Sequence, residues 1–222
     1  MITAIGKNSP TYLSEDLSQA LENVGISLPV HTQEKLLVYL ALLNKWNLVF
    51  NLSGIKDPKQ MLASHLLDCL VVVPLVGVYL RNNQTRFLAD VGSGAGLPGI
   101  PIALACPDLE VTLIESNQKK TAFLTQAKIE LGLDNVRILA QRIETVQIVF
   151  DAVISRAFSS LKNYVRLSAH LLSSTEGKQS CLMAMIAKKC EQPPEGWWIA
   201  AQYRLQVPGG VKNRHLIILQ PN

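Results

Sequence analysis

The chain has 222 residues, of which 48% are hydrophobic and 17% are charged, and its formal net charge at pH 7 is +4. This balance is typical of a packed globular protein and excludes a disordered chain. The small cationic surplus permits a nucleic-acid partner but does not require one.

The first part of the chain, up to residue 85, has helical periodicity. Apolar residues that recur three and four positions apart between Leu36 and Leu48 predict an amphipathic helix, and Pro29 upstream suits its entry. The dipeptide at 57–58, Asp-Pro, is typical of a helix start, and Gly25 is typical of a helix end. We predict a helical N-terminal cap over residues 1–85, with helices at 14–23, 32–49 and 61–70.

An uncharged apolar run over residues 69–80 closes this part of the chain. It is shorter than the roughly 20 residues of a bilayer span and contains Pro74 and Gly77, so we interpret it as buried core. The first residues lack the basic start and apolar stretch of a secretory signal. The cysteines have no CxxC spacing, which predicts reduced, buried thiols and no metal site in a cytoplasmic protein; they are Cys69, Cys106, Cys181 and Cys190.

From residue 86 onward, short apolar runs alternate with helical stretches. Such alternation predicts a parallel sheet with helices on both faces, and two late runs on either side of Pro208 predict a closing hairpin. We expect strands at 86–91, 110–115, 135–139, 150–155, 197–206 and 214–220, and helices at 99–106, 118–131 and 161–172. The predicted fold class is α/β, with a doubly wound domain over residues 86–222 that carries the helical cap and ends in a β-hairpin.

The segment between the first predicted strand and its helix, FLADVGSGAGLPGIP, is rich in glycine. Glycines adopt backbone conformations closed to other residues and let a ligand approach the main chain. Gly94, Gly96 and Gly99 match the spacing of a dinucleotide site. The stretch DVGSGAG, which begins at Asp90 and includes Gly92, also matches the acid-x-Gly-x-Gly-x-Gly loop of methyltransferases that use S-adenosylmethionine. A pyrophosphate is best bound without a nearby acid, whereas the ammonium of a methionine end favours one, so Asp90 favours methyl transfer.

Acidic residues follow the next two predicted strands. Glu115 lies 19 residues after Gly96, the distance expected for an acid that binds ribose hydroxyls. Both a dinucleotide and S-adenosylmethionine carry a ribose, so Glu115 indicates an adenosine-like ligand without choosing between them. In methyltransferases of this class the adenine contacts follow the third strand, where the backbone at Ile143 and the side chain of Glu144 are the candidates.

Four motifs, in order along the chain, resemble a single family from about residue 12 to the end. They are LNKWNLVFNLSGIKDP at 43–58, HLLD at 65–68, DVGSGAGLPGIP at 90–101 and FDAVISRAFSSL at 150–161. The late segment LQVPGGVKNRHLIIL at 205–219 also resembles the closing hairpin of that family. On these motifs the chain resembles the 16S ribosomal RNA guanine-N7 methyltransferases, also called glucose-inhibited division protein B.

The resemblance implies a Rossmann-like class I methyltransferase with a helical N-terminal extension, in the bacterial cytoplasm and away from membranes. It implies methyl transfer from S-adenosylmethionine to N7 of a guanine in the 530 loop of 16S rRNA, at position 527 in the usual rRNA numbering. The implied partner is 16S rRNA or the 30S subunit, without an obligate protein partner. Carried over by motif, the cofactor-binding residues are Gly92, Leu97, Ile143, Glu144 and Arg156.

Arg156, which follows the fourth predicted strand, is the candidate catalytic residue. Its guanidinium is expected to pair with the carboxylate of the cofactor or with an RNA phosphate. Guanine N7 has an in-plane lone pair and no proton to lose, so no general base is expected and alignment can supply the catalysis. Phe158 is expected either to stack on an extruded base or to pack in the core. His65 and Asp68 share one helix face and suit acid–base chemistry, a metal or a structural hydrogen bond.

The sequence departs from the family at residues 181–190, where CLMAMIAKKC replaces the usual Ala-Leu-Lys-Gly stretch. The role of the family lysine is therefore not assigned to Lys188 or Lys189. Two alternatives stay open: a dinucleotide-binding oxidoreductase and a catalytically silent rRNA-binding relative. Further basic residues are scattered along the chain, and the sequence does not place them on one face; they include Arg137, Arg142, Arg166, Lys212 and Arg214.

Overall fold

Helices occupy the first part of the chain, as predicted. The computed structural model describes residues 12–82, 86–156, 158, 160–174, 179–187, 190, 192–210 and 212–222. Its helices are α1 (Tyr12–Asn23), α2 (Val30–Phe50), α3 (the consecutive stretches Pro58–Met61, a π-helical Leu62–Leu67 and Asp68–Leu70), α4 (Val73–Asn82), α5 (Gly99–Ala105), α6 (Gln118–Leu131) and α7 (Leu161–Ser168). Two short 3-10 turns cover Ile143–Thr145 and Ala169–Leu171.

Capping residues set the ends of the best-predicted helix, α6. The side chain of Asn117 accepts hydrogen bonds from the backbone N–H groups of Lys119 and Lys120, which have no partner within the helix. Gly132, at φ 60°, ends the helix in the left-handed conformation that favours glycine. The bounds of α6 therefore coincide with the predicted ones.

The described residues form one seven-stranded sheet. Its strands are β1 (Phe87–Val91), β2 (Glu110–Ile114), β3 (Val136–Leu139), β4 (Ala152–Ser155), β5 (Cys181–Ile186), β6 (Trp197–Leu205) and β7 (Arg214–Pro221), in the order β3-β2-β1-β4-β5-β7-β6. Strands β1 to β5 are parallel, and β7 runs antiparallel to both β5 and β6. The predictions of a parallel sheet and a closing hairpin are confirmed.

The strand order reverses between β1 and β4, which creates a crevice at the carboxyl ends of these strands. The chain builds the sheet outward from β1 through β2 to β3 and then returns to pair β4 with the other edge of β1. Ligands of open α/β sheets bind at such a switch point. A ligand-binding site is therefore expected at this edge of the sheet.

Several elements differ from the sequence prediction, and β5 was not among the predicted strands. Strand β4 begins at Ala152, because the backbone of Phe150 is hydrogen-bonded to Leu171 and Ser173 instead of to a neighbouring strand. The helix predicted over 161–172 ends at Ser168 and continues as a 3-10 turn. Helix α4 was not predicted, since a proline and a glycine interrupt its pattern.

One continuous set of buried apolar side chains joins the cap helices to the sheet. It includes Leu36 of α2, Leu66 of α3, Leu113 of β2 and Ile218 of β7. A second set, which includes Tyr164 of α7, covers the opposite face of the sheet. The division of the chain near residue 86 stays a prediction, because the cap and the sheet share a core.

The cysteines do not all lie in that core. Cys69 and Cys181 are buried, and burial raises the pKa of each thiol to about 12. Cys106 and Cys190 are only half-buried, which corrects the expectation of buried thiols at these two positions. Cys106 lies at the end of α5 beside an exposed turn, and Cys190 follows β5.

The segment Pro58–Leu80, which spans α3 and most of α4, is long and apolar enough to cross a membrane by length and composition. In this fold 67% of its most apolar 18-residue window is buried inside the protein. Such burial is typical of core helices, so the segment belongs to the core, as predicted for residues 69–80.

Candidate active site

The glycine loop follows β1 at the carboxyl edge of the sheet. Gly92, Gly94 and Gly96 have φ values of 66°, 60° and 84°, in the region that favours glycine. A Cβ on Gly92 would meet nothing within 4 Å, and one on Gly94 would meet only the Gly92 carbonyl, at 3.9 Å. A Cβ on Gly96 would instead lie 2.5 Å from Ile100 and 2.9 Å from Leu124. Gly92 and Gly94 therefore border open space that a ligand can fill, whereas Gly96 is required for packing.

Asp90 lies beneath this loop and is almost completely buried. Its Oδ2 accepts a hydrogen bond of 2.9 Å from the Gly99 N–H at the start of α5. Its Oδ1 is buried without a hydrogen-bond partner among the described residues. Burial raises the pKa of the Asp90 carboxyl from 3.8 to about 7, against the opposing effects of the Gly99 N–H and Arg156. Asp90 thus fixes the start of α5 and retains one unused acceptor.

Glu115 follows β2 and holds the glycine loop from the other side. Its Oε2 accepts a hydrogen bond of 2.9 Å from the Gly94 N–H, and its Oε1 accepts one of 2.8 Å from the Asn117 N–H. The side chain is buried. A carboxylate oxygen has a second lone pair, so each oxygen can still accept a hydroxyl donor.

Tyr39 is a site residue that sequence reasoning missed. It is fully buried on α2, and its hydroxyl donates a hydrogen bond of 2.7 Å to the Ala95 carbonyl in the middle of the glycine loop. In the sequence, Tyr39 stands out only as a polar aromatic residue on the apolar face of the predicted helix, and that pattern does not link it to the glycine loop. Through this bond the cap helix positions the loop.

The remaining loop and β3 candidates lie at the same edge of the sheet. Leu97 is buried within the loop. Ile143 is half-buried and Glu144 is exposed, and both belong to the 3-10 turn after β3. The side chain of Ile143 packs against the core on the α7 face, which leaves its backbone and the Glu144 carboxylate for a ligand.

Arg156 and Arg214 converge on the single carboxylate of Asp68, in what we call the Asp68 node. Arg156 follows β4, and its Nη1 donates to Asp68 Oδ2 and to the Ser64 carbonyl, both at 3.1 Å. Arg214 begins β7 and binds the same carboxylate through two hydrogen bonds, Nε to Oδ1 at 2.7 Å and Nη2 to Oδ2 at 2.8 Å. Asp68 is fully buried, whereas the side chains of Arg156 and Arg214 are 17% and 12% exposed.

The charges of the Asp68 node do not cancel. Two guanidinium groups face one carboxylate, so the node carries a formal charge of +1. Arg156 uses only Nη1 in its contacts with the described residues, which leaves Nε and Nη2 as donors. A partly buried cation with free donors is suited to bind a carboxylate or a phosphate.

His65 has a structural position in α3. Its Nδ1 lies 3.2 Å from the Ser64 carbonyl and must donate to it, so its Nε2, 2.6 Å from the Ser53 hydroxyl, is an acceptor. The Ser53 N–H donates to Asn47 Oδ1 at 2.7 Å. Burial lowers the pKa of His65. These bonds support a structural role, and no cluster of three metal-ligating side chains occurs among the described residues.

Phe158, for which the sequence left two roles open, lies after β4. The half-buried ring of Phe158 lies 5.0 Å from that of Tyr164, measured between ring centroids, and packs against the core. Its proposed stacking on a base stays a prediction. Lys188 and Lys189 lie outside the described residues.

The chemistry that the site offers is binding and alignment. An amino acid joined to a nucleoside would fit this site. The features that suit it are the unpaired Oδ1 of Asp90, the open space beside Gly92 and Gly94, and the carboxylate oxygens of Glu115. The nearby Cys69 thiol stays protonated at neutral pH, because burial raises its pKa to about 12, and a thiol is a poor nucleophile. A covalent mechanism through Cys69 is therefore not supported.

Comparison of the sequence with known families gives a match over most of the chain. Residues 32–217 match the family described as GidB, rRNA small subunit methyltransferase G. The chain is 44% identical over 213 residues to the ribosomal RNA small subunit methyltransferase G of Nitrosospira multiformis, which covers 92% of this chain and 95% of the relative. It is 46% identical over 214 residues to the protein of the same name from Aromatoleum aromaticum, with 93% and 98% covered.

Solved structures show the same fold class. Magnesium protoporphyrin IX methyltransferase from Synechocystis, with bound S-adenosylmethionine, superposes with a TM-score of 0.54 at 15% identity over 83% of this chain and 97% of that chain. A putative caffeoyl-CoA O-methyltransferase from Staphylococcus aureus gives a TM-score of 0.53 at 15% identity, over 94% and 99%. The predicted class I methyltransferase fold is confirmed.

Proposed function

The chain belongs to the GidB family of rRNA small subunit methyltransferases G, whose methyl donor is S-adenosylmethionine, and we propose that it methylates N7 of a guanine in the 530 loop of 16S rRNA. Family membership excludes the dinucleotide-dependent oxidoreductase. One observation carries the proposal: the cationic Asp68 node and the open space beside Gly92 and Gly94 lie at the same switch point, between β1 and β4. We place the reaction in the cytoplasm, with 16S rRNA, free or within the 30S subunit, as the partner.

The residues of the glycine loop would hold the methionine end of the cofactor. Gly92 and Gly94 leave space against the main chain, and the unpaired Oδ1 of Asp90 is an acceptor for an ammonium group. Because a charge-assisted contact contributes about 1.5–3 kcal/mol, Asp90→Ala is expected to weaken cofactor binding by roughly ten- to a hundredfold. The affinity for RNA should stay nearly unchanged, since Asp90 lies beneath the loop.

The adenosine end of the cofactor would lie at the carboxyl ends of β2 and β3. Both oxygens of Glu115 are anchored by backbone N–H groups, so the carboxylate is held in place to accept ribose hydroxyls. The backbone at Ile143 and the exposed carboxylate of Glu144 lie after β3, where the adenine would bind. Gly96 and Leu97 are packed against the core. They would therefore support the glycine loop even without a direct contact to the cofactor.

The chemistry needs little more than alignment. S-adenosylmethionine supplies a methyl group bound to a positively charged sulfur. The N7 lone pair of guanine forms the new N–C bond, the S–C bond breaks with its electron pair left on sulfur, and the positive charge passes to the base. No proton is transferred, so the protein has to orient the base and exclude competing nucleophiles.

Arg156 is proposed as the residue that joins the two ligands. It follows β4 at the switch point, and its free Nε and Nη2 can bind the cofactor carboxylate or an RNA phosphate. Arg156→Ala is expected to reduce methyl transfer strongly. Arg156→Lys should restore it only in part, because lysine cannot make a two-pronged contact with either anion.

The direct test is methylation of 16S rRNA isolated from a strain that lacks this modification. The purified protein is incubated with S-adenosylmethionine and either naked 16S rRNA or 30S subunits, and the RNA fragments are analysed by mass spectrometry. We expect one N7-methylguanosine in the 530 loop. The matched control is Arg166→Ala, an exposed arginine on α7 that contacts Asn163.

Two results would contradict the proposal. A methyl group on another base or position would refute the assigned target. Binding of 16S rRNA without methyl transfer to either substrate would identify the chain as a catalytically silent relative.

A further inference from the structure

A polar cavity of about 420 Å³ lies on the β6–β7 hairpin, apart from the glycine loop, and we call it the hairpin cavity. It is lined by Gln202, Arg204, Asn213 and His215. We propose that it binds a phosphate of the substrate RNA beside the target guanine. This inference rests on the proposed function and assigns part of the RNA-binding surface.

The hairpin cavity lies at the same edge of the sheet as the candidate active site. His215 pairs with Ile186, the last residue of β5, and with Arg204 of β6. The carboxyl end of β5 lies next to that of β4, which Arg156 follows. With strands roughly 4.8 Å apart, β7 lies about 10 Å and β6 about 14 Å from β4 across the sheet. An RNA strand that places a guanine over β4 can therefore reach the cavity with a neighbouring nucleotide.

Strand β7 connects the two sites directly. Successive side chains of a strand point to opposite faces of the sheet. Arg214 points to the cap face, where it binds Asp68, and His215 points to the other face, into the hairpin cavity. The strand that completes the Asp68 node thus also forms a wall of the cavity.

The lining side chains supply hydrogen-bond donors. Gln202 Oε1 accepts a hydrogen bond of 3.2 Å from the Cys190 N–H, which leaves its NH2 group to donate. Among the described residues, the Arg204 guanidinium makes only a long 3.4 Å contact, with Asn213 Oδ1. The remaining guanidinium N–H groups have the planar arrangement that suits phosphate oxygens.

The charged side chain that lines the cavity is that of Arg204. None of the lining residues is acidic, and Arg204 forms no salt bridge with the described carboxylates. The exposed Lys212 precedes Asn213 in the loop. An unpaired arginine with nearby donors in a recess favours an anion, and phosphodiester groups are the anions that RNA presents.

An exposed arginine on an edge strand also has a general role, because charge discourages pairing with another chain. The sheet provides a matched control for this role, since its two edge strands are β3 and β6. Arg137 is an exposed arginine on β3, at the opposite end of the sheet. Arg137→Ala removes the same charge without touching the hairpin cavity.

The test measures the affinity for 16S rRNA as a function of KCl concentration. One lost phosphate contact should lower the slope of log affinity against log salt by about 0.7–0.9. We expect Arg204→Ala to show this change with about tenfold weaker RNA binding, an unchanged affinity for S-adenosylmethionine by calorimetry, and recovery of the slope in Arg204→Lys. Arg137→Ala should behave as the wild type.

The inference is overturned if Arg204→Ala keeps the wild-type salt slope, or if Arg137→Ala loses as much. RNA binding is measured without reference to methyl transfer. A wild-type protein that binds 16S rRNA but methylates no guanine would therefore refute the proposed function. The comparison of Arg204→Ala with Arg137→Ala would still decide whether the cavity binds a phosphate.

Discussion

Asp90→Asn should change how the free energy of unfolding depends on pH. In the unfolded chain the Asp90 carboxyl loses its proton near its ordinary pKa of 3.8, whereas in the folded protein it retains the proton until about pH 7. Between these values the folded protein binds more protons than the unfolded chain, so its stability falls as the pH rises. The fall is complete above pH 7.

The magnitude follows from the size of the pKa difference. Each pKa unit corresponds to about 1.4 kcal/mol, so the rise from 3.8 to about 7 costs the ionised folded protein about 4 kcal/mol over the whole window. Between pH 5.5 and pH 8 the expected share is about 2 kcal/mol. The amide introduced by Asp90→Asn would keep an acceptor for the Gly99 N–H but cannot ionise, so the variant should lack this decrease.

The assay is urea denaturation of both proteins between pH 5.5 and pH 8, without cofactor. His65 changes stability in the opposite sense, since its lowered pKa makes stability fall as the pH decreases below its ordinary pKa of 6.5. Both proteins retain His65, so the difference between their profiles isolates Asp90. Parallel pH profiles for the wild type and Asp90→Asn would refute the reasoning.

Four substitutions, the last two as a matched pair, test the supports of the site by chemical denaturation. Asp68→Ala leaves two partly buried guanidinium groups without their carboxylate and should cost about 3–5 kcal/mol; a cost below about 1 kcal/mol, as for a surface pair, would contradict the burial of the Asp68 node. Tyr39→Phe removes the bond to the Ala95 carbonyl and should cost about 1–3 kcal/mol, together with faster amide exchange in the glycine loop; unchanged exchange would show that α2 does not hold the loop. Gly96→Ala should cost more than Gly92→Ala, because only its Cβ overlaps neighbouring side chains, and equal losses would contradict the packing role.

Local signals explain why most of the fold could be predicted. Helix α6 has an asparagine cap at one end and a glycine at the other, and the strands are apolar runs that lead into a turn. The π-helical turn Leu62–Leu67 has no such signal. Helix α4 was missed because Pro74 and Gly77 normally interrupt helices, yet Pro74 lies in its first turn, where it displaces no hydrogen bond.

The candidate site was predictable only where it is local in sequence. Asp90 lies near the end of β1, and the glycines and Glu115 follow strands at fixed spacings, so the chain pattern alone was enough to propose them. The salt bridge between Asp68 and Arg214 joins residues 146 positions apart, and no periodicity or motif reports such a pair. The sequence left three roles open for Asp68, and only the fold distinguishes them.

The position of Arg214 in the chain also bears on how the protein is made. Domains generally fold as units, and the N-terminal part of a chain is synthesised first, so Asp68, the glycine loop and Arg156 leave the ribosome well before β7. Until β7 follows, β5 lacks its antiparallel neighbour, and of the hydrogen bonds that described residues donate to the Asp68 carboxylate only the one from Arg156 can form. The Asp68 node is thus complete only once β7 is in place. A chain terminated before residue 214 would carry the cofactor loop without Arg214, whose bidentate contact with Asp68 anchors α3 to the sheet.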